Sequence, residues 1–219
     1  MSDVKLVETE KGLTLCGDGM EVRGDFSKML PRIQSGKVQG EMLVKAAKIK
    51  NATGLLTAVD ATAGLGEDSI LLAAAGFRVY MCEKDETIAL LLEDALKRAK
   101  KDPKLSAIVG RMILIKGDSK EFLLNMEEKP DVVYLDPMFP ERQKSALVKK
   151  KFQLLHNLEA PCTDGDELLN AAIASGPRKI VIKRPLKGEP LAGIKPDYTY
   201  EGKAIRYDCL TFARTESEK

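Results

Sequence analysis

The sequence predicts an α/β protein on a doubly wound, mostly parallel sheet, with an antiparallel pair of C-terminal strands and a small N-terminal β-rich appendage. Three observations predict it. Short apolar runs alternate with helix-period segments from residue 55 to residue 182. The first of these runs opens into a glycine loop, Asp60-Ala61-Thr62-Ala63-Gly64-Leu65-Gly66. Acidic residues stand where the runs end, at Asp60, Glu83, Asp118 and Asp136.

The elements follow in order. Residues 4–7, 13–16 and 20–23 are short β-like runs separated by turn residues such as Gly17-Asp18-Gly19, and they form the appendage, assigned to 1–35. Over 40–50, Met42, Leu43, Ala46, Ala47 and Ile49 recur at helical spacing and lead into the main domain, 36–219. Strand 55–59, helix 68–75, strand 78–82 and helix 87–101 then give a βαβα pattern. Strands 112–116 and 132–135 flank a helical segment at 122–126, and helix 166–174 precedes a fifth strand at 179–182. Residues 198–201 and 205–212 complete the sheet as an antiparallel pair. Ligands of such sheets bind beyond the carboxyl ends of the strands, so the loops there carry the chemistry.

Composition sets outer bounds. The 219 residues, 44% hydrophobic and 31% charged, are enough for one folded domain with an appendage. The longest apolar stretch, 70–77, falls far short of the roughly 18 residues of a membrane span, and the Met1-Ser-Asp-Val-Lys start lacks a signal-peptide profile. A cytoplasmic protein without membrane attachment is expected. Cys16, Cys82, Cys162 and Cys209 have no paired ligand spacing, so no metal site is expected, and His156 has no ligand partner. A net charge of +2 does not by itself mark a nucleic-acid binder. The charges nevertheless cluster, at Lys144, Lys149, Lys150 and Lys151 and again at Arg178, Lys179, Lys183, Arg184 and Lys187.

In the first loop, Gly64 and Gly66 permit positive φ and close backbone approach to a ligand. Glu83 lies 19 positions after Gly64, near the spacing of about 20 at which a carboxylate meets ribose hydroxyls in this fold. An adenosine-containing cofactor follows. Glu67 and Asp68 open the next helix, where they would repel a pyrophosphate. They disfavour a nicotinamide dinucleotide and suit a cationic cofactor that carries an ammonium group. After the third strand, Asp118 of Gly117-Asp118-Ser119 serves either as an acceptor for the adenine amine or as a helix N-cap, and both roles are compatible.

The fourth strand runs into Asp136-Pro137-Met138-Phe139-Pro140. Proline fixes the loop, so Asp136 and neighbouring carbonyls would hold their direction. An aromatic amine is a poor nucleophile because its lone pair is delocalised into the ring. Hydrogen bonds to Asp136 would turn that lone pair towards a sulfonium methyl while Phe139 stacks on the base. Asp136, Pro137 and Phe139 are therefore the candidate catalytic residues. An oxidoreductase on the same sheet and a non-catalytic RNA-binding protein with a decayed pocket are the alternatives, and cofactor binding separates them.

These motifs resemble those of the class I methyltransferases, with their Rossmann-like sheet, Asp-x-x-x-Gly-x-Gly first loop and (Asp/Asn)-Pro-Pro-(Tyr/Phe) after the fourth strand. Met138 stands where that pattern has a second proline. Tyr-Leu-Asp-Pro-Met-Phe-Pro at 134–140, Gln-Lys-Ser-Ala-Leu-Val-Lys-Lys at 143–150 and Lys-Ile-Val-Ile-Lys-Arg-Pro at 179–185 are similar to the small-subunit ribosomal RNA methyltransferase J family. The similarity runs from about residue 36 to residue 212. Glu67 stands where members carry an arginine, Glu141 where they often carry a histidine, and the N-terminal part is shorter.

The resemblance implies transfer of a methyl group from S-adenosylmethionine to the exocyclic amine, N2, of a guanine in small-subunit (16S) ribosomal RNA, free or assembled into the subunit. Carried over by motif, cofactor contacts fall on Glu67, Asp68, Glu83, Lys84, Asp118, Ser119 and Asp136, beside Asp60, Gly64 and Gly66 of the loop. It also makes Lys144, Lys149, Lys150, Lys183 and Arg184 the expected contacts to RNA phosphates.

Overall fold

A computed structural model of the chain describes residues 4–17, 19–137 and 165–213. Met138, Phe139, Glu141, Lys144, Lys149, Lys150, Lys151, His156 and Cys162 lie outside the described residues.

The strands are β1 (Lys5–Thr9), β2 (Gly12–Gly17), β3 (Met20–Val22), β4 (Thr57–Asp60), β5 (Arg78–Glu83), β6 (Met112–Lys116), β7 (Val132–Leu135), β8 (Lys179–Pro185), β9 (Tyr198–Glu201) and β10 (Ile205–Thr211). The α-helices are α1 (Leu30–Ile33), α2 (Met42–Ala47), α3 (Glu67–Ala74), α4 (Glu86–Ala99), α5 (Ser106–Val109), α6 (Ser119–Asn125) and α7 (Gly165–Ala174). Short 3-10 turns at Phe26–Met29, Val38–Gly40 and Leu191–Gly193 join them.

A seven-stranded sheet in the order β6-β5-β4-β7-β8-β10-β9 forms the body. Its first five strands are parallel, and β10 runs antiparallel to both of its neighbours, β8 and β9. Strand order reverses between β4 and β7, which puts the topological crevice beyond the ends of those two strands. Alternation along each strand sends residues to two separate cores. Ala58, Val79, Met81, Val132, Tyr134, Val181 and Tyr207 pack with α1 to α5 on one face. Val59, Cys82, Val133, Leu135, Ile180 and Ile182 pack with α6 and α7 on the other.

Helix α4 shows why such segments form. Ile88, Leu91, Leu92, Ala95, Leu96 and Ala99 make its buried stripe, Asp85 caps it by accepting from the Ile88 amide, and Lys97 and Arg98 sit at its negative end. The N-terminal sheet, in the order β1-β2-β3, leans on this helix. Leu15 and Val22 pack on Leu91, and the Leu13 amide donates to Asp94 Oδ2 at 3.1 Å. Phe26, Met29 and Ile33, in the segment that follows β3, belong to the main core.

Most predicted elements reappear with ends shifted by a few residues. The helical segment at 122–126 begins at Ser119, because Asp118 caps it by accepting from the Lys120 amide. The fifth strand continues past Ile182 to Pro185, because β10 pairs with its whole length. The turns and helices between Phe26 and Ile33, and the single turn Ser106–Val109, were too short to show helical periodicity in the sequence.

Candidate active site

Four strand ends converge at the crevice. β4 leaves the sheet through Asp60, whose side chain is 1% exposed. Its Oδ2 accepts from Ser69 Oγ at 2.5 Å and its Oδ1 from the Thr62 amide at 3.2 Å. Burial pushes the Asp60 carboxyl up to about 7, against the opposing effect of the Ser69 hydrogen bond, and the nearby Asp68 and Asp136 add to the rise.

The loop beyond is built around two glycines with different tasks. Gly66 has φ +78, and a Cβ there would come within 2.9 Å of Leu92 and 3.0 Å of Phe26, so its smallness serves packing. Gly64 has φ +54, and a Cβ there would meet nothing within 4 Å. The space over Gly64 is open to a ligand.

Glu83 at the end of β5 holds this loop in place. Its Oε2 accepts the Gly64 amide at 3.0 Å and its Oε1 the Asp85 amide at 2.9 Å. Burial raises its pKa, and those amides oppose the rise. A carboxylate has about four acceptor sites, so capacity remains for hydroxyls of a ligand. Lys84 is exposed beside it, and Glu67 is exposed at the start of α3. At the end of β6, Gly117 has φ +151, and its amide donates to the Glu83 carbonyl at 2.9 Å. Asp118 caps α6, half-buried, and Ser119 follows it at the helix start.

At the end of β7, the Asp136 amide donates to Thr62 Oγ1 at 2.7 Å, which joins the fourth loop to the first. Pro137, next in the chain, is buried. Lys183 Nζ lies 2.8 Å from Asp136 Oδ2 and 2.9 Å from Asp68 Oδ2, and Tyr134 Oη donates to the same Asp68 oxygen at 2.6 Å. Strand register explains the cluster. Asp60 pairs across to Tyr134, Tyr134 to Val181, and Lys183 to Tyr207, so all of these side chains point to the face that α3 covers. Burial raises the Tyr134 and Tyr207 hydroxyl pKa values, and both rings lie close to Asp68 and Asp136.

The structure therefore brings Asp60, Gly64, Asp68, Glu83, Asp118, Asp136 and Lys183 to one end of the sheet. It turns Lys183 and Arg184, the two basic residues nearest the carboxyl end of β8, inward. Lys183 places its charge on two carboxylates, and Arg184 is 6% exposed with its guanidinium on the Glu189 carbonyl. Neither presents the solvent-facing charge that a phosphate takes. Sequence reasoning missed Thr62, Ser69 and Tyr134. Tyr134 was signalled only by standing two positions before Asp136, on the same side of its strand. It also missed Arg32 of α1, which pairs with Glu41 at 2.6 Å and lies close enough to Asp68 and Tyr207 for their charges to act on it. Among the described residues, no group of three or more His, Cys, Asp or Glu side chains is placed to hold a metal ion.

The parallel sheet with its antiparallel end, the glycine loop and the acids at the ends of β4, β5, β6 and β7 define an S-adenosylmethionine-dependent methyltransferase of class I. A family model described as "Putative SAM-dependent methyltransferase" matches residues 2–211. The chain is 42% identical over 207 residues to ribosomal RNA small subunit methyltransferase J of Pseudomonas aeruginosa, covering 91% of this chain and 78% of that one. It is 43% identical over 173 residues to the protein of the same name from Thioalkalivibrio sulfidiphilus, covering 78% and 68%. The chain belongs to the ribosomal RNA small subunit methyltransferase J family. A crystal structure of a SAM-dependent methyltransferase from Neisseria gonorrhoeae superposes with a TM-score of 0.73 at 33% identity, over 94% of this chain and 82% of that one.

The cofactor is S-adenosylmethionine, and the residues present fit it. Cβ positions at Gly64 and Gly117 face open space, and the carboxylates of Asp68 and Glu83 suit a cation bearing an ammonium group and a ribose.

Proposed function

We propose that this chain methylates the exocyclic amine, N2, of a guanine in small-subunit (16S) ribosomal RNA, in the cytoplasm. The observation that carries the reading is Asp136. Its backbone is tied to Thr62 and followed by a buried proline, and its carboxylate meets the Lys183 ammonium at 2.8 Å in the crevice. The names of the relatives supply the class of RNA.

Asp60, Asp68, Glu83 and the Gly64 backbone would hold the cofactor, with Asp118, Ser119, Lys84 and Glu67 at the rim and Gly66 shaping the loop. When bound, S-adenosylmethionine supplies an electrophilic methyl group on a sulfonium. Asp136 accepts a hydrogen bond from the guanine amine and turns its lone pair out of conjugation with the ring. Orientation supplies most of the rate, because the methylated ammonium formed on the base is a strong acid and loses its extra proton readily. Asp136 can take that proton before water does. Pro137 keeps the acceptor from swinging away. Phe139 would stack on the base, and Lys144, Lys149 and Lys150 would meet the flanking phosphates.

The test is incubation with methyl-labelled S-adenosylmethionine and unmodified small-subunit RNA, free and as assembled particles, beside an Asp136→Ala control. Label at N2 of one guanine, lost in the control, supports the reading. Measurable cofactor binding with no label on any RNA overturns it.

A further inference from the structure

Lys183 is the one basic side chain among the described residues shown bridging two carboxylates of the site. Asp68 comes from the first turn of α3 and Asp136 from the loop after β7. Both contacts are to single oxygens at hydrogen-bond distance, so the two carboxylate oxygens lie within about 6 Å of each other, close enough for like charges to oppose each other's ionisation.

We propose that Lys183 is a positioning residue for methyl transfer, whose ammonium, held between Asp68 and Asp136, keeps Asp136 a charged and fixed acceptor for the base amine. This rests on the reading of Asp136 as the amine acceptor.

The surroundings make an ammonium necessary there. Asp136 faces Asp60 from β4, Asp68 from α3, Tyr134 from its own strand and Tyr207 from β10, and Arg32 from α1 approaches Asp68 and Tyr207 while committed to Glu41. Three carboxyl groups thus share one half-buried crevice. Without a cation among them, the cheapest relief is to protonate one. A protonated Asp136 would offer the guanine amine a donor on one of its oxygens and lose its use as an ionised acceptor. The ammonium meets the opposite condition. Burial lowers the Lys183 pKa, but Asp68 and Asp136 outweigh that and hold it far above the ordinary lysine value, which favours the charged ammonium. Tyr134 supports the bridge by donating to the Asp68 oxygen that Lys183 also uses. A lysine in this position is a fixed part of the site's charge balance and not a mobile phosphate contact.

The experiment is a carboxyl titration by carbon NMR of the full chain labelled in aspartate, with Asp136→Asn to assign the Asp136 signal, in wild type, Lys183→Met and Lys183→Arg. Single-turnover transfer to small-subunit RNA is followed over the same pH range. In Lys183→Met, the Asp136 midpoint rises by about one to three pH units, and the acid limb of the rate profile rises with it. Lys183→Arg restores most of both. An unchanged Asp136 midpoint in folded Lys183→Met overturns the proposal, and so does a shifted midpoint that leaves the rate profile in place. If Lys183→Met does not fold, Asp68→Asn gives the complementary reading. Removing the rival carboxylate lowers the Asp136 midpoint, and an unchanged one overturns the proposal. The titration needs no acceptor RNA, so failure of the wild type to methylate any RNA counts against the ribosomal reading alone.

Discussion

The Asp136 amide donates to Thr62 Oγ1 at 2.7 Å, and this bond couples the loop after β7 to the loop after β4. Thr62→Val keeps the shape and removes the acceptor, leaving a half-buried amide without its partner. The expected cost is about 1–3 kcal/mol of stability by chemical denaturation. Because Asp136 is then held by one tie fewer, the transfer rate falls about tenfold or more while cofactor affinity changes little. Thr62→Ser, which retains the hydroxyl, restores the rate. A rate in Thr62→Val equal to wild type would show that the bond does not position Asp136.

Gly64 and Gly66 separate in the same way that their surroundings do. Gly66→Ala forces a Cβ into Leu92 and Phe26 at positive φ, so the expected loss is at least about 2 kcal/mol, from backbone strain and overpacking together. Gly64→Ala carries only the strain, about 1–2 kcal/mol, but places a methyl group in the open space proposed for the cofactor. Calorimetry of cofactor binding checks the contrast. Gly64→Ala folds and binds at least tenfold more weakly, whereas Gly66→Ala is limited by its stability.

Asp60 makes the stability of the protein depend on pH. Its carboxyl is raised to about 7 in the folded chain, against about 3.9 when unfolded, so the native state holds a proton that the unfolded state has lost. The stabilisation from that proton is complete below about pH 4 and is lost as pH rises through 7, at up to about 1.4 kcal/mol per unit. Asp60→Asn mimics the protonated form, with its carbonyl facing the Thr62 amide and its amide facing Ser69, whose hydroxyl turns to accept. Denaturation midpoints across pH 5 to 8 are expected to fall less steeply in Asp60→Asn than in wild type. Parallel slopes would mean that Asp60 is ionised throughout.

Much of this arrangement was legible in the sequence. The alternation of apolar runs and helix-period segments fixes the sheet, and an acid at the end of a buried run has few reasons to be there other than a ligand, so Asp60, Glu83 and Asp136 stood out. What pairs with what was not legible. Lys183 reads as one of several lysines near a strand end, and only the register of β8 against β7 and β10 shows that it shares a face with Tyr134 and Tyr207. Arg184, its neighbour, points to the opposite side by the same alternation and closes on the Glu189 carbonyl. Thr62 and Ser69 were invisible for a different reason. A hydroxyl inside a loop or a short helix has many possible local partners, and the sequence does not say which distant carboxylate or amide it will meet.

Glu83 offers the sharpest separation of structure from binding, because its two oxygens accept amides from two different segments, Gly64 in the first loop and Asp85 at the cap of α4. In Glu83→Gln only one of those amides can keep its acceptor, since the other side-chain atom becomes a donor facing a donor. Loss of one buried pairing costs about 1–3 kcal/mol. If Glu83 also accepts the ribose hydroxyls, cofactor affinity falls by at least tenfold, and a cofactor analogue lacking those hydroxyls loses little further affinity in the variant. Equal losses for the analogue in wild type and Glu83→Gln would assign Glu83 to the loop alone and place the ribose on another acceptor.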